Sequence, residues 1–244
     1  MRRLLGLLAV TLALTGCSTE KGLRAQELLR QAEVAQAALT SSTFDGSLGV
    51  TMGGERIGMS FRGATSKDGE WLSMSASGMP GAGSFSVEVI LRGGRAWTKA
   101  GGRWSSMPAP QGLGSNGTVS AAAFQELARY VKDVRVTEHQ LVDGKSVTTI
   151  GGEIDTQGML SAFTKLGSAA GQVEGLSLDD FDLSKLGVEL GDIEAVLTID
   201  ETTRLLSSAL ISFAMKAQGE EVELELRYRL TSANEPVRLP SPTG

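Results

Sequence analysis

The chain has one thiol, Cys17, and one imidazole, His139. A lone cysteine cannot close an internal disulfide, so its chemistry is that of a nucleophile or of an acceptor for a covalent group. His139 could act as a general base near neutral pH. No nucleophile motif accompanies it, and it sits in an alternating stretch that reads as a strand surface. Asp179, Asp180 and Asp182 offer oxygen ligands of the kind calcium takes. They lack the spacing of a known calcium loop, and a solvated acidic turn accounts for them. Asn116-Gly117-Thr118 fits a glycosylation acceptor and reads equally as a turn. Paired glycines such as Gly53-Gly54 lie between strands and not ahead of helices, so they do not cradle phosphate. No catalytic set, metal site or cofactor site follows, and the expectation is a non-enzymatic protein.

The residues before Cys17 give it a purpose. Met1-Arg2-Arg3 is a short positive end, and the 11 residues from Leu4 to Leu14 are apolar apart from Gly6 and Thr11. That is the layout of a secretion signal. A membrane-spanning helix needs about 20 apolar residues, so this run is too short to be an anchor by itself. Leu14-Thr15-Gly16-Cys17 resembles the lipobox of bacterial lipoproteins. In that family the cysteine thiol takes a diacylglycerol, the chain is cut before the cysteine, and the new amine is a further site for a fatty acid such as palmitate. Two or more acyl chains make a stable anchor where one does not. The resemblance implies a signal peptide over 1–16, lipid attachment at Cys17, a tether over 17–22 and a single domain over 23–244. It places the mature protein at a membrane, on the extracytoplasmic face.

Composition agrees with a folded body. The chain is 41% hydrophobic and 21% charged over 244 residues, the balance of a globular protein. That length can bury about 70% of its unfolded surface without disulfides. Without Arg2 and Arg3 the net charge of −5 becomes −7. An acidic chain excludes nucleic acid as a partner and gives no polybasic hold on anionic lipid. Glycine is frequent at 31 residues while proline is rare at 6, which suggests many short strands and turns.

Periodicity places the elements. Leu23 to Leu39 reads as a helix with Leu28, Leu29, Ala32, Ala35, Ala38 and Leu39 on one face, broken by Thr40-Ser41-Ser42-Thr43. Strands follow around 48–52, 57–61, 72–76, 85–91, 95–99 and Trp104, with turns at Gly53-Gly54, Met79-Pro80-Gly81 and Gly93-Gly94. After a polar loop over 108–118, a second helix is expected over 120–131. Strands over 134–141 and 145–154 flank Asp143-Gly144. A third helix is expected over 156–166 and an irregular stretch over 169–190. Strands over 193–199, 205–217 and 221–230 close the chain. In the last, Glu221, Glu223, Glu225, Arg227 and Arg229 alternate with apolar residues and read as a solvated face with cross-strand pairs. The order fits an α+β fold, one antiparallel sheet with helices on one face.

Three stretches carry a second resemblance. They are Gly93-Gly94-Arg95-Ala96-Trp97-Thr98-Lys99 with Gly102-Arg103-Trp104; Val134 to Ile154 with Val142-Asp143-Gly144-Lys145 at its turn; and Val196-Leu197-Thr198-Ile199-Asp200, followed by a long hairpin and Asn234-Glu235-Pro236-Val237. Together they resemble the lipoprotein family of LppX and LprG, which shares its fold with the lipoprotein carrier LolA. That resemblance implies a strongly curved antiparallel half-barrel with helices covering its concave face, and an apolar cavity between them for acyl chains. It implies carriage of a lipid, glycolipid or lipoprotein across the cell envelope. A second function stays open: an envelope sensor or assembly module of the same fold, engaged in transport or signalling through a protein partner.

The candidate cavity lining is the apolar side of the strands: Val50, Met52, Ile57, Met59, Phe61, Leu72, Met74, Phe85, Val87, Val89, Leu91, Leu197, Ile199, Leu224 and Leu226. Methionines at 52, 59 and 74 suit a surface that accepts varied apolar shapes. An apolar strand face looks the same over a packed core and over a cavity, so the pattern leaves both open.

Overall fold

A segment that alternates apolar with polar residues is stable only as a strand beside other strands. A computed structural model describes residues 22–79, 83–108, 130–142, 144–155, 188–217 and 220–242. It contains one helix, α1 (22–37), and eleven strands among the described residues. These are β1 (Ser41–Met52), β2 (Glu55–Ser66), β3 (Gly69–Met79), β4 (Gly83–Arg92), β5 (Arg95–Ala100), β6 (Arg103–Pro108), β7 (Val131–Val142), β8 (Lys145–Ile154), β9 (Val188–Asp200), β10 (Leu206–Ala217) and β11 (Glu220–Ala233). They form one 11-stranded sheet in the order β6-β5-β4-β3-β2-β1-β11-β10-β9-β8-β7. Every neighbouring pair is antiparallel.

The sheet is two meanders joined at the centre. β2 to β6 each pair with the strand before, as do β8 to β11, and the β1–β11 pairing joins the two meanders. β6 and β7 end the order, so the sheet is not closed. Gly53 and Gly54 have φ of 58° and 82°, and Gly93 and Gly94 of 58° and 72°. A two-residue hairpin of this type needs positive φ at both central positions, which explains the glycine pairs read from the sequence. Asn234, at φ 58°, turns the chain after β11. Its Oδ1 accepts the Thr40 N–H at 2.9 Å, and the Ser41 hydroxyl donates to the Glu235 carbonyl at 2.6 Å.

α1 spends its apolar stripe on one face of the sheet. Ala25, Leu28 and Ala32 pack with Phe44, Val134, Ile150, Leu197, Ile199, Leu206, Ala209 and Tyr228. The Phe44 and Tyr228 rings stack at 5.9 Å between centroids. The helix therefore covers β7 to β11 and β1. A second cluster of Ile154, Ile193, Ala195 and Ile211 continues the core along β8 to β10.

Several expectations change. The fold is mostly β with one helix among the described residues, where an α+β arrangement with several helices was expected. The run Thr40-Ser41-Ser42-Thr43 does not stay a break, because β1 begins at Ser41. Its hydroxyls find partners across the sheet: Ser42 meets Thr65 at 2.9 Å, and Thr43 meets Thr231 at 2.7 Å. Tyr130 lies in a turn and Val131 opens β7, where the second helix was expected to end. β9 begins at Val188, inside the stretch read as irregular. Gly22, expected to end the tether, opens α1. Cys17 and the rest of the tether, Asn116-Gly117-Thr118, the rest of the second helix, the third helix and the Asp179-Asp180-Asp182 group lie outside the described residues.

Candidate functional site

Residues directly opposite each other in an antiparallel pair point to the same face. By that rule the register puts all the candidate lining residues on the face α1 occupies. One cross-sheet row runs Leu197, Ala209, Tyr228, Gly46, Phe61, Met74, Val87. The next holds Leu226, Leu48, Met59, Ala76 and Phe85. Leu224, Val50 and Ile57 form a third, with Met52 beyond it. Leu72 and Val89 pair on the other side of the first row, below Gly63 and Phe44. Leu91 follows opposite Glu70.

Their surroundings divide them. Leu197 and Ile199 are 5% and 0% exposed and belong to the packed core under α1. Phe61 and Leu72 lie at the margin of that core, and Leu226 against the second cluster. Val50, Ile57, Met59, Met74, Val87, Val89, Leu91 and Leu224 are half-buried. Met52 and Phe85 are 48% and 42% exposed. Among the described residues, the apolar face is thus packed at β7 to β10 and at Phe44 and Tyr228, and incompletely covered along the rest of β11 and β1 and across to β4.

Two phenylalanines make the boundary. Phe44 and Gly63 are opposite each other, as are Gly46 and Phe61. A Cβ at Gly63 would run into the Phe44 ring, and one at Gly46 into the Phe61 ring. The distal end of each ring therefore fills the space over the glycine of the facing strand. Glycine in a strand interior costs stability unless a neighbour packs over it, and these rings do so. The paired Phe/Gly alternation in β1 and β2 was the signal for this and was not read from the sequence.

One carboxyl intrudes on the apolar side. Glu70 stands between Thr65 and Leu91 in the register, half-buried. Burial pushes its pKa up to about 7. Desolvation favours the neutral acid when no opposite charge compensates.

His139 does take part in a polar cluster, built around Glu201. Asp200 Oδ1 accepts the Thr202 and Thr203 N–H groups at 2.8 and 2.9 Å, which fixes the β9–β10 turn. The Glu201 N–H donates to the Ser146 carbonyl at 2.9 Å. Its carboxylate accepts from the Ser146 hydroxyl at 2.7 Å and from the buried Thr148 hydroxyl. His139 Nδ1 lies 3.1 Å from the same carboxylate and 2.8 Å from Thr148 Oγ1. Hydrogen bonds from Thr148 and Ser146, with His139 nearby, hold the Glu201 pKa down at about 2. A nucleophile–base–acid relay divides its partners between the two imidazole nitrogens. Here both partners face Nδ1, so the arrangement ties β7, β8 and the β9–β10 turn together and does not form a relay.

No protein-family model matches the sequence, and neither does any curated protein. Solved structures do match. The fold is that of LprF. LprF from Mycobacterium bovis is 15% identical, with a TM-score of 0.52, and the match covers 91% of this chain and 98% of that chain. Lipoprotein LppX from Mycobacterium tuberculosis matches at 17% identity and a TM-score of 0.40, over 89% of this chain and 98% of that one.

Proposed function

We propose that the chain is a membrane-anchored lipoprotein that binds a lipid, glycolipid or lipoprotein acyl chain and carries it across the cell envelope. The observation that carries this reading is the uneven cover of one apolar sheet face. A monomer rarely leaves a large contiguous apolar patch exposed without a use for it. From β11 to β4 the face holds Met52, Met59, Met74, Phe85 and Val87 side by side, none fully buried. The LprF fold and the lipobox-like Leu14-Thr15-Gly16-Cys17 support the same reading.

Energetics set the mode of action. Burying about 30 methylenes at ~0.8 kcal/mol each is worth roughly 24 kcal/mol gross, above the practical affinity ceiling of about 18–21 kcal/mol. A lipid arriving from a membrane already has those methylenes buried. Exchange is then near balance, and transfer depends on how the apolar face is opened rather than on a chemical step.

The test is native mass spectrometry of the chain from residue 17 with Cys17→Ala, before and after exposure to phospholipid and glycolipid. Bound lipid is expected at unit stoichiometry. Met59→Asp is expected to cut uptake at least tenfold while the protein stays folded. An empty protein that takes up no lipid, together with a stoichiometric protein partner in a pull-down, would replace the carrier with the sensor or assembly module. Unfolding by Met59→Asp would make this part of the face core.

A further inference from the structure

The other face of the sheet has the opposite character. The alternation that sends apolar side chains toward α1 sends serines and charges away from it. One row there holds Arg229, Asp45, Arg62, Ser73, Glu88 and Lys99. The next holds Arg227, Ser47, Ser60, Ser75 and Ser86. A depression of about 980 Å³ lies over both rows. A second, of about 520 Å³, shares Ser47, Ser60, Ser75 and Ser86 with it. A third, of about 330 Å³, shares Gly49 and Arg56 with the second. Together they make a trough across the strands.

In the two larger depressions the charges are matched except at one place, while the third adds the carboxylates of Asp192, Glu194 and Glu223, which have no cation at ion-pairing distance among the described residues. Asp45 receives Arg229 Nε at 3.0 Å and Nη2 at 2.6 Å. Glu88 receives the Trp71 indole N–H at 3.3 Å and Lys99 at 3.2 Å. Glu225 holds Arg227 at 2.9 and 3.0 Å. Arg62 has no carboxylate at ion-pairing distance among the described residues. Its guanidinium lies 5.4 Å from the centroid of the Trp71 ring. A guanidinium stacked on an indole keeps its N–H edge free for a planar anion, which it can hold through two parallel bonds.

We propose that this trough binds an acidic glycan, with a sugar carboxylate on Arg62 and sugar hydroxyls on the serine floor. Serine hydroxyls both donate and accept, as sugar hydroxyls do. Ser47, Ser60, Ser75 and Ser86 stand on four adjacent strands, and adjacent strands are ~4.8 Å apart. An extended β-linked sugar chain repeats at nearly the same distance, so successive sugars meet successive serines. One unmatched cation beside the neutralised pairs of the two larger depressions suits a sparsely charged polymer, and the free carboxylates of the third, Asp192, Glu194 and Glu223, repel a dense polyanion. A lipid chain would face hydroxyls and charges along the floor. The site lies on the opposite side of the sheet from the proposed lipid face and does not depend on that reading.

The test uses the mature chain and three probes: a β-linked hexasaccharide containing glucuronate, cellohexaose and hexaglutamate. Binding is read by calorimetry and by tryptophan fluorescence, since Trp71 lies beneath Arg62. The acidic hexasaccharide is expected to bind saturably and to change the fluorescence. Arg62→Gln, at an exposed position, is expected to weaken it at least tenfold with an unchanged melting curve. Ser60→Ala with Ser75→Ala is expected to weaken both sugar probes. Hexaglutamate is expected not to bind. No sugar binding, equal binding of hexaglutamate, or an affinity unchanged by Arg62→Gln would each overturn the proposal. Met52→Asp, on the apolar face and lining none of the three depressions, should leave sugar binding intact, which separates failure here from failure of the lipid reading.

Discussion

Ile199 and Met52 are both apolar side chains on the same face of one sheet, and their circumstances differ almost as far as circumstances can. Ile199 is fully buried between α1 and the strands, while Met52 is 48% exposed at the end of β1. The strand pattern that places them is the same. What separates them is distance from α1, a helix of 16 residues and therefore ~24 Å long. A helix of that length crosses about half of an 11-stranded sheet. Among the described residues, one region of the face is consequently a packed core and the other is incompletely covered.

The largest expected effect tests that division directly. Ile199→Ala should cost about 2–4 kcal/mol, the usual result of a buried cavity. Met52→Ala should cost less than ~1 kcal/mol. Denaturant melts of both variants measure this, and equal losses would erase the distinction between the regions. Next comes the boundary between them. Gly63→Ala must displace the Phe44 ring and should cost about 1–3 kcal/mol, as overpacking does. Gly58→Ala on the opposite face meets nothing within 4 Å and should be near neutral, so comparing the two melts isolates the ring.

A smaller effect is expected at the Glu201 cluster. Its pKa is lowered to about 2, so its stabilisation is present above the ordinary carboxylate value and fades as pH falls toward 2. Glu201→Gln should lower stability by about 1–2 kcal/mol at pH 7, the range for exposed-to-intermediate charged hydrogen bonds. The difference from the parent should shrink in melts at progressively lower pH. The smallest effect, and of opposite sign, belongs to Glu70. Its pKa is raised to about 7, so ionisation destabilises the fold as pH rises from about 4.5 through 7. Glu70→Gln should match the parent at pH 4. At pH 8 it should melt about 2–4 °C higher, the shift ~1 kcal/mol gives a domain of this size, the carboxyl's solvent contact having been allowed for. A higher melting point at both pH values would mean that charge is not the cause.

Much of the sheet was legible because a strand pattern of period two needs little context. The glycine pairs marked their turns, and the alternation in 221–230 gave β11 its two faces. One expected cross-strand pair forms between opposite residues of β11 and β1, Arg229 with Asp45, and Arg56 Nη2 reaches across β1 to donate to Glu225 at 3.1 Å. The limits of β1 were harder to read. A Thr-Ser-Ser-Thr run favours turns when judged alone, and only the hydroxyl partners on β2 and β11 make it strand. The division of the apolar face was not legible at all. Nothing in the residues at 197 and 199 differs in kind from those at 57 and 59, because burial there is decided by where α1 lies. Glu201 was passed over for a similar reason: its partners at 139, 146 and 148 are remote in sequence until the β9–β10 turn brings it to them.

The pairing of β1 with β11 has a consequence in time. Asp45 and Arg229, bridged across that seam, are 184 residues apart. Every other neighbouring pair of strands is consecutive in the chain. Each meander can assemble from local hairpins, but their union waits for the final strand to be made, and such remote closures are slow. Until then β1 and β10 each present a bare inner edge, the kind of edge that invites pairing with another chain. The whole sheet therefore cannot lock before its last strand has been made.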